Sequence, residues 1–289
     1  MGDILAPVLA ASLLEAIDLS GIVLIDFATY FFAVITLLLV RIPQPKLEPR
    51  ADGSRNRIAS DVRFAWRYLR ERPGLFNLQL YYACVNFFLS TVFVLSGPLV
   101  LSQHDAQVYG VVQMVLGIGG LAGGLVASAW GGPKTHMVRS VTGGIAFYML
   151  GVVIAGLRIH PAFPALGLTL NVFMVSIVQS VSNAIWQLKV APEVQGRVFS
   201  LRYMVVTIVS PLAYLAAGPL ADRVFEPLMQ EGGALAHTLL GTLLGSGPGR
   251  GIGLMYVLSG MLVILISAGA YTNPRIRLLE REVPNAVPG

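Results

Sequence analysis

Charge is scarce in this chain. Asp, Glu, Lys and Arg make up 12% of its 289 residues, against roughly 25% in an ordinary soluble domain, which argues against a water-soluble two-domain enzyme of this length. Cysteine is scarcer still: Cys84 stands alone in an apolar run, leaving no disulfide framework and no Cys-rich metal site. The four histidines, His104, His136, His160 and His237, are scattered among connecting segments without H-x-x-x-H or H-E-x-x-H spacing, so metal chemistry has no support. A phosphate-cradling glycine loop is missing as well. Gly117-Ile118-Gly119-Gly120 carries part of that pattern, but inside an apolar run rather than at a strand-to-helix turn. With no nucleophile-base arrangement and no nucleotide-binding motif, the reading is of a protein that is not an enzyme and takes neither cofactor nor metal.

What the chain has in excess is apolar sequence: 55% of its residues are hydrophobic and its mean hydropathy is +0.71. These residues fall into blocks near the ~20-residue length that crosses the ~30 Å hydrocarbon core as a helix. Eight such segments can be read, at about 4 to 18, 21 to 40, 75 to 101, 108 to 130, 140 to 157, 164 to 186, 199 to 220 and 251 to 271. The predicted fold class is therefore an all-α membrane protein with eight transmembrane helices. No signal peptide is read, because Met1 leads almost at once into a segment containing Glu15, without a basic leader or an A-x-A site.

The net charge of +5 would suit nucleic acid only if the basic residues shared one soluble face. Here they follow the membrane, and no nucleic-acid partner is expected. The connection between the second and third segments holds Arg41, Lys46, Arg50, Arg55, Arg57, Arg63, Arg67, Arg70 and Arg72. Alternation puts Lys134, Arg139, Lys189, Arg197, Arg202, Arg275, Arg277 and Arg281 on the same side, leaving Arg158, Arg223 and Arg250 on the other. Retention of positive charge in cytoplasmic loops makes the crowded side cytoplasmic, with both termini there and the protein in the cell membrane.

The chain divides on this reading into residues 1–41, with two spans; 42–74, a cytoplasmic linker; 75–272, with six spans; and 273–289, a cytoplasmic tail. Within the linker, Ile58, Val62, Trp66 and Leu69 fall at helical spacing on one side and Arg63, Arg67 and Arg70 on another, with Pro73-Gly74 as a stop. An amphipathic helix at the membrane surface is expected, serving as a lipid contact, a connector between domains, or both.

Polar residues inside spans need a partner or a water-filled cavity. Ser176, Gln179, Ser180, Asn183 and Gln187 recur at steps of three and four in the sixth segment, and Tyr82, Asn86 and Ser90 at steps of four in the third. Such stripes either line a path or bind helix to helix. Asp26, in the second segment, is the clearest intramembrane acid: it is a candidate for proton uptake and release, or else a structural residue at the Ser20-Gly21 turn. Gly119, Gly123 and Ala127, beside Gly120, Gly124 and Ser128, form ridges that allow close helix packing. Pro211 and Pro219 are expected to kink the seventh segment, and Asp222-Arg223 to end it.

An internal echo completes the pattern. Leu5-Ala6-Pro7-Val8-Leu9-Ala10-Ala11 opens a short span followed by one ending at Arg41-Ile42-Pro43; Ser210-Pro211-Leu212-Ala213-Tyr214-Leu215-Ala216-Ala217-Gly218 opens another, followed by one ending at Pro274-Arg275. The last two spans thus echo the first two across an interval of six, the arrangement of two parallel six-helix halves. Four spans would then be missing from the front.

Ile25-Asp26-Phe27-Ala28-Thr29, Trp66-Arg67-Tyr68-Leu69 with Arg72-Pro73, Ser128-Ala129-Trp130-Gly131-Gly132-Pro133-Lys134, Gln195-Gly196-Arg197-Val198-Phe199-Ser200 and Gly218-Pro219-Leu220-Ala221-Asp222 come in an order that resembles spans five to twelve of a major facilitator superfamily transporter. The similar branch is the one holding macrolide efflux proteins and enterobactin exporters. The second copy of that superfamily's acidic loop motif, here Gly124 to Lys134, has Ser128-Ala129 where the acid is usual, so its salt bridge does not carry over. The resemblance implies a twelve-helix, two-bundle fold in which the third and sixth segments face the cavity. Tyr82, Asn86, Ser90, Ser176, Gln179, Ser180, Asn183 and Gln187 become the candidates for substrate contact. It implies export of small amphiphilic molecules by alternating access, driven by an ion gradient such as proton antiport. The partners would be the bilayer, the cargo, protons, and N-terminal helices supplied from another chain if this one is truncated. The other reading is a non-transporting membrane fragment or anchoring module.

Overall fold

The computed structural model describes residues 21, 24–25, 27–36, 57–133, 135–283 and 286. The chain separates into two compact units, Met1–Arg57 and Ile58–Gly289. In the first, helix α1 (Phe27–Thr36) is apolar, and its hydroxyls are satisfied locally: Thr29 Oγ1 donates to the Ile25 carbonyl at 3.0 Å and Thr36 Oγ1 to that of Phe32 at 2.8 Å. The expected first span and Asp26 lie outside the described residues.

The second unit opens with α2 (Arg57–Arg70), the amphipathic helix foreseen in the linker, but with its apolar face turned. Ala65 and Leu69 are fully buried, Val62 and Tyr68 flank them, and Trp66 is 37% exposed. The sequence spacing groups Trp66 with Val62 and Leu69 on one side of the helix. Residues 62, 65 and 69 are spaced by three and four and make the buried face. Trp66 turns outward, edge-on to Phe76 at 5.6 Å. Arg70 ends the helix, and Pro73 enters the next at its first turn, where a missing N–H costs nothing.

Six helices long and apolar enough to cross a membrane follow: α3 (Pro73–Leu101), α4 (Ala106–Trp130), α5 (Met137–Leu157), α6 (Ala162–Lys189), α7 (Pro192–Leu220) and, after a longer connection, α10 (Arg250–Thr272). They match the last six expected segments. Side-chain pairings give their directions. Gln79 meets Arg202 and Ser90 meets Ser210, so α3 and α7 are parallel. Tyr81 meets Ser267 and Tyr256 meets Val92, so α3 and α10 are antiparallel. Gly119 approaches Thr169 while Gly123 approaches Phe173, a parallel pairing of α4 and α6. Asn171 Nδ2 donates to the Tyr148 carbonyl at 3.1 Å, and Gly144 faces Val178 while Gly151 faces Gly167, which makes α5 and α6 antiparallel. One end of the bundle therefore carries Arg139, Lys189, Arg197, Arg275 and Arg277; the other carries Arg158, Arg223 and Arg250.

Helices α5 and α10 are the most enclosed, while α4, α6 and α7 each leave a long face uncovered. Close approach of α4 to α6 rests on Gly123, where any Cβ would run into the backbone of Phe173. The neighbouring Gly124 faces open space, so the ridge Gly119-Gly123-Ala127 is spent inside the bundle while Gly124 and exposed Ser128 are not. Gly131, at φ 69°, adopts the left-handed turn that ends α4.

Helix α7 does not stop at Asp222-Arg223 as expected. It passes Pro211 and Pro219 and continues through a π-helical turn (Ala221–Phe225) into α8 (Glu226–Met229). A proline leaves carbonyls without intrahelical donors, and the π turn that follows Pro219 keeps the chain helical while both charged side chains reach outward. The connection that follows forms the short α9 (Leu239–Leu244). Its return is fastened by Glu226, whose carboxylate accepts from the Gly249 and Gly251 amides at the start of α10. Arg250 is buried there and donates to the Gly156 carbonyl at 2.6 Å.

At the basic end the chain closes with α11 (Pro274–Arg277) and α12 (Leu279–Glu282). Lys189 Nζ donates to the carbonyls of Glu280 and Val283 at 2.8 and 2.5 Å. The Glu280 carboxylate caps α5 by accepting from the Val138 amide at 2.6 Å.

Candidate functional site: a polar seam around Arg202

The eight residues read as cargo contacts separate into groups. Ser90 and Ser176 bridge helices: Ser90 Oγ donates to Ser210 Oγ of α7 at 3.0 Å, and Ser176 Oγ reaches the Gly120 carbonyl of α4 at 3.4 Å besides Val172 of its own helix at 3.2 Å. Asn86 Nδ2 donates to the Tyr82 carbonyl one turn back at 2.8 Å, and Ser180 Oγ to that of Ser176 at 3.1 Å. Gln179, Ser180 and Gln187 are exposed. Gln179 lies ten residues before the end of α6, about 15 Å along the helix axis at 1.5 Å per residue, well inside the span.

Asn183 and Tyr82 converge on a residue that the sequence reading had assigned to the connection, Arg202. Ala191-Pro192 starts α7, so Arg202 sits ten residues into the helix, again about 15 Å from its end. Its Nη1 donates to Asn183 Oδ1 at 3.0 Å and its Nη2 to Ser182 Oγ at 2.8 Å. The guanidinium carbon lies 5.1 Å from the centre of the Trp186 ring and 5.7 Å from that of Tyr82, within the range of cation–π attraction. The Arg202 carbonyl accepts from Gln79 Nε2 at 3.4 Å. Three helices thus contribute: α3 with Gln79 and Tyr82, α6 with Ser182, Asn183 and Trp186, and α7 with the cation.

The seam is rich in unused hydrogen-bonding capacity. Gln79 Oε1, Tyr82 Oη and Trp186 Nε1 are buried and make no hydrogen bond. Ion pairs among the described residues are Arg72–Glu71, at 3.8 Å, and Arg197–Asp61, at 3.1 Å; Arg202 belongs to neither. Arg197, five residues or about one and a half turns further toward the basic end, also lies 5.0 Å from the Phe64 ring centre, which ties α2 to α7. Among the described residues no three His, Cys, Asp or Glu side chains gather as a metal site.

Of the remaining sequence candidates, Pro211 and Pro219 lie in α7 beyond the seam, and Gly119, Gly120 and Gly123 face α6. Asp26 lies outside the described residues. Ser182, Trp186 and Arg202 were missed. The signal for Arg202 was present, since it falls inside the apolar segment 199 to 220 and three residues after Phe199.

Six parallel and antiparallel membrane-length helices with a polar seam at depth define a polytopic membrane protein. The profile of the Major Facilitator Superfamily matches residues 1–214, and the chain belongs to that family. It is similar to Macrolide efflux protein A of Streptococcus pyogenes, 26% identical over 226 residues, which cover 76% of this chain and 55% of that protein. It is also similar to Macrolide efflux protein A of Enterococcus faecalis, 27% identical over 214 residues, 72% of this chain and 65% of that one. The chain spans about half the length of the first of these relatives, 55%. No solved structure matches it.

Proposed function

We propose that this chain supplies the cargo-facing wall of an efflux carrier, exporting small amphiphilic molecules of the macrolide or siderophore type by alternating access. The observation that carries the reading is Gln179: an uncharged amide, exposed on α6 at membrane depth. A polar group there is costly against lipid and is expected to face a watered cavity or another polar surface. Gln187, Ser180 and Asn183 accompany it on α6, and Tyr82, Asn86 and Arg202 lie on the neighbouring helices α3 and α7. An aromatic and hydrogen-bonding wall of this kind suits a bulky amphiphile.

A single six-helix bundle can wall a cavity from one side only, so alternating access calls for a second bundle rocking against it. In this proposal the wall is matched by a second set of spans, from the same polypeptide or another, as the twelve-helix, two-bundle arrangement requires. The basic end of the bundle faces the cytoplasm, both termini are cytoplasmic, and the membrane is the cell membrane. Export is driven by a proton gradient, with Asp26 of the second apolar segment as the candidate acid.

The test is export of a fluorescent macrolide-like amphiphile from cells producing the chain alone and together with four further N-terminal spans of a family member. The proposal expects export only with the added spans, abolished by a protonophore. Equal export by the chain alone, or none in either case, would favour the non-transporting membrane module instead.

A further inference from the structure

We infer that Arg202 and the donors around it form a socket for the carboxylate of an amphiphilic anion. The inference deepens the reading of the seam as a cargo pathway and rests on it for the direction from which the anion enters. The physical case is one of charge and donor balance. Arg202 is a permanent cation inside a membrane-length helix, and no acidic side chain of the described residues pairs with it. Asn183, Ser182, Tyr82 and Trp186 are all neutral. They orient and partly shield the guanidinium, but they do not cancel its charge, and an uncompensated charge in low dielectric is held at substantial cost.

Donors also outnumber acceptors. Of the five N–H groups of a guanidinium, two are committed, to Asn183 and Ser182. The Trp186 indole N–H, which can only donate, and the Tyr82 hydroxyl are buried and unbonded; the opposing free acceptor is Gln79 Oε1. The Tyr82 hydroxyl neighbours Ser182, whose oxygen is already engaged by Arg202. A carboxylate is acceptor-only and brings two oxygens to a planar fork, so it supplies both what the charge and what the donors lack. The two aromatic faces beside the cation fit an apolar or aromatic body attached to that carboxylate. Entry is from the uncovered side, where Arg202 is half-buried and Gln179 and Gln187 are exposed.

The probe is tritiated 1-naphthaleneacetate, an aromatic carboxylate, against its uncharged amide, with the full chain purified into phosphatidylcholine nanodiscs. Binding needs no transport, so a failure here is distinct from a failure of export. The acid is expected to bind about tenfold tighter than the amide, the scale of one charge-assisted contact. Arg202→Gln should bring the acid down to the affinity of the amide while leaving amide binding in place, and Arg202→Lys should restore part of the preference. Asn183→Asp, which places a carboxylate beside the guanidinium, should also erase the preference and serves if Arg202→Gln does not fold. Equal binding of acid and amide by the unaltered chain, binding of neither, or a preference that survives Arg202→Gln or Asn183→Asp would overturn the socket.

Discussion

The amide oxygen of Asn183 accepts from Nη1 of Arg202 across 3.0 Å, so a residue in the middle of a sequence-evident polar stripe is spent on holding a cation of the next helix. Replacing that amide by a carboxylate, Asn183→Asp, gives the cation a counter-charge. Thermal unfolding in detergent should show a gain of roughly 1 kcal/mol, because the present bond has a charged donor alone and the carboxylate adds the opposite charge facing it. A loss of stability would mean that the cation is already neutralised by another group.

The packing of α4 on α6 predicts opposite outcomes at adjacent glycines. Gly123→Ala pushes a methyl into the backbone of Phe173 and should destabilise the bundle by about 1–3 kcal/mol, the range for overpacking a tight contact. Gly124→Ala meets open space and should stay within about 0.5 kcal/mol. Unfolding midpoints of the two variants, measured side by side, check this.

For α2, the turned face makes a similar contrast. Leu69 is fully buried and Trp66 is on the outer side. Leu69→Ala should cost about 2–4 kcal/mol and should open α2, Arg57–Arg70, to limited proteolysis. Trp66→Ala should leave the cleavage rate near that of the unaltered chain. Asp61→Asn removes the partner of Arg197, whose carboxylate is half exposed, and should cost less than about 1 kcal/mol.

Six of the eight expected spans were legible because each is an unbroken apolar block flanked by Gly, Pro or charge, and those signals do not depend on tertiary context. What was not legible turned on single residues whose role is set by their neighbours. Ala65 carries no strong periodicity signal, yet it is buried beside Leu69 in the core, and Trp66 is displaced from the face where its hydrophobicity alone would put it. Asp222-Arg223 reads as a helix stop; the π turn after Pro219 carries the helix past it. Arg202 was counted with the loop cations because arginine is expected outside the hydrocarbon. Its partners, Ser182 and Asn183, come from a helix that only the fold brings alongside. The stripe itself, from Ser176 to Gln187, was visible, but sequence spacing could not separate Ser176, which bridges to α4, from Gln179, which faces outward.

At the end of the bundle opposite the basic cluster, Glu226 accepts from two amides at the start of α10 while Arg250 reaches Gly156. Glu226→Gln keeps the shape but loses the charge and one acceptor oxygen. It should lower stability by about 1–3 kcal/mol, the cost of leaving a buried donor unsatisfied, as read from the unfolding midpoint in detergent. Glu231→Gln, on an exposed residue of the same connection, is the matched control and should shift it little.

The central claim, that the Gln179 face of α6 borders a watered cargo path, is tested most directly by cysteine labelling in a Cys84→Ser background. Gln179→Cys is compared with Leu265→Cys, an apolar and exposed position on α10, using a water-soluble maleimide with and without an amphiphilic cargo. The account predicts that Gln179→Cys reacts readily and is slowed by the cargo, while Leu265→Cys, facing lipid, reacts little under either condition. Equal reactivity at the two positions, or labelling of Gln179→Cys that no amphiphile slows, would contradict it.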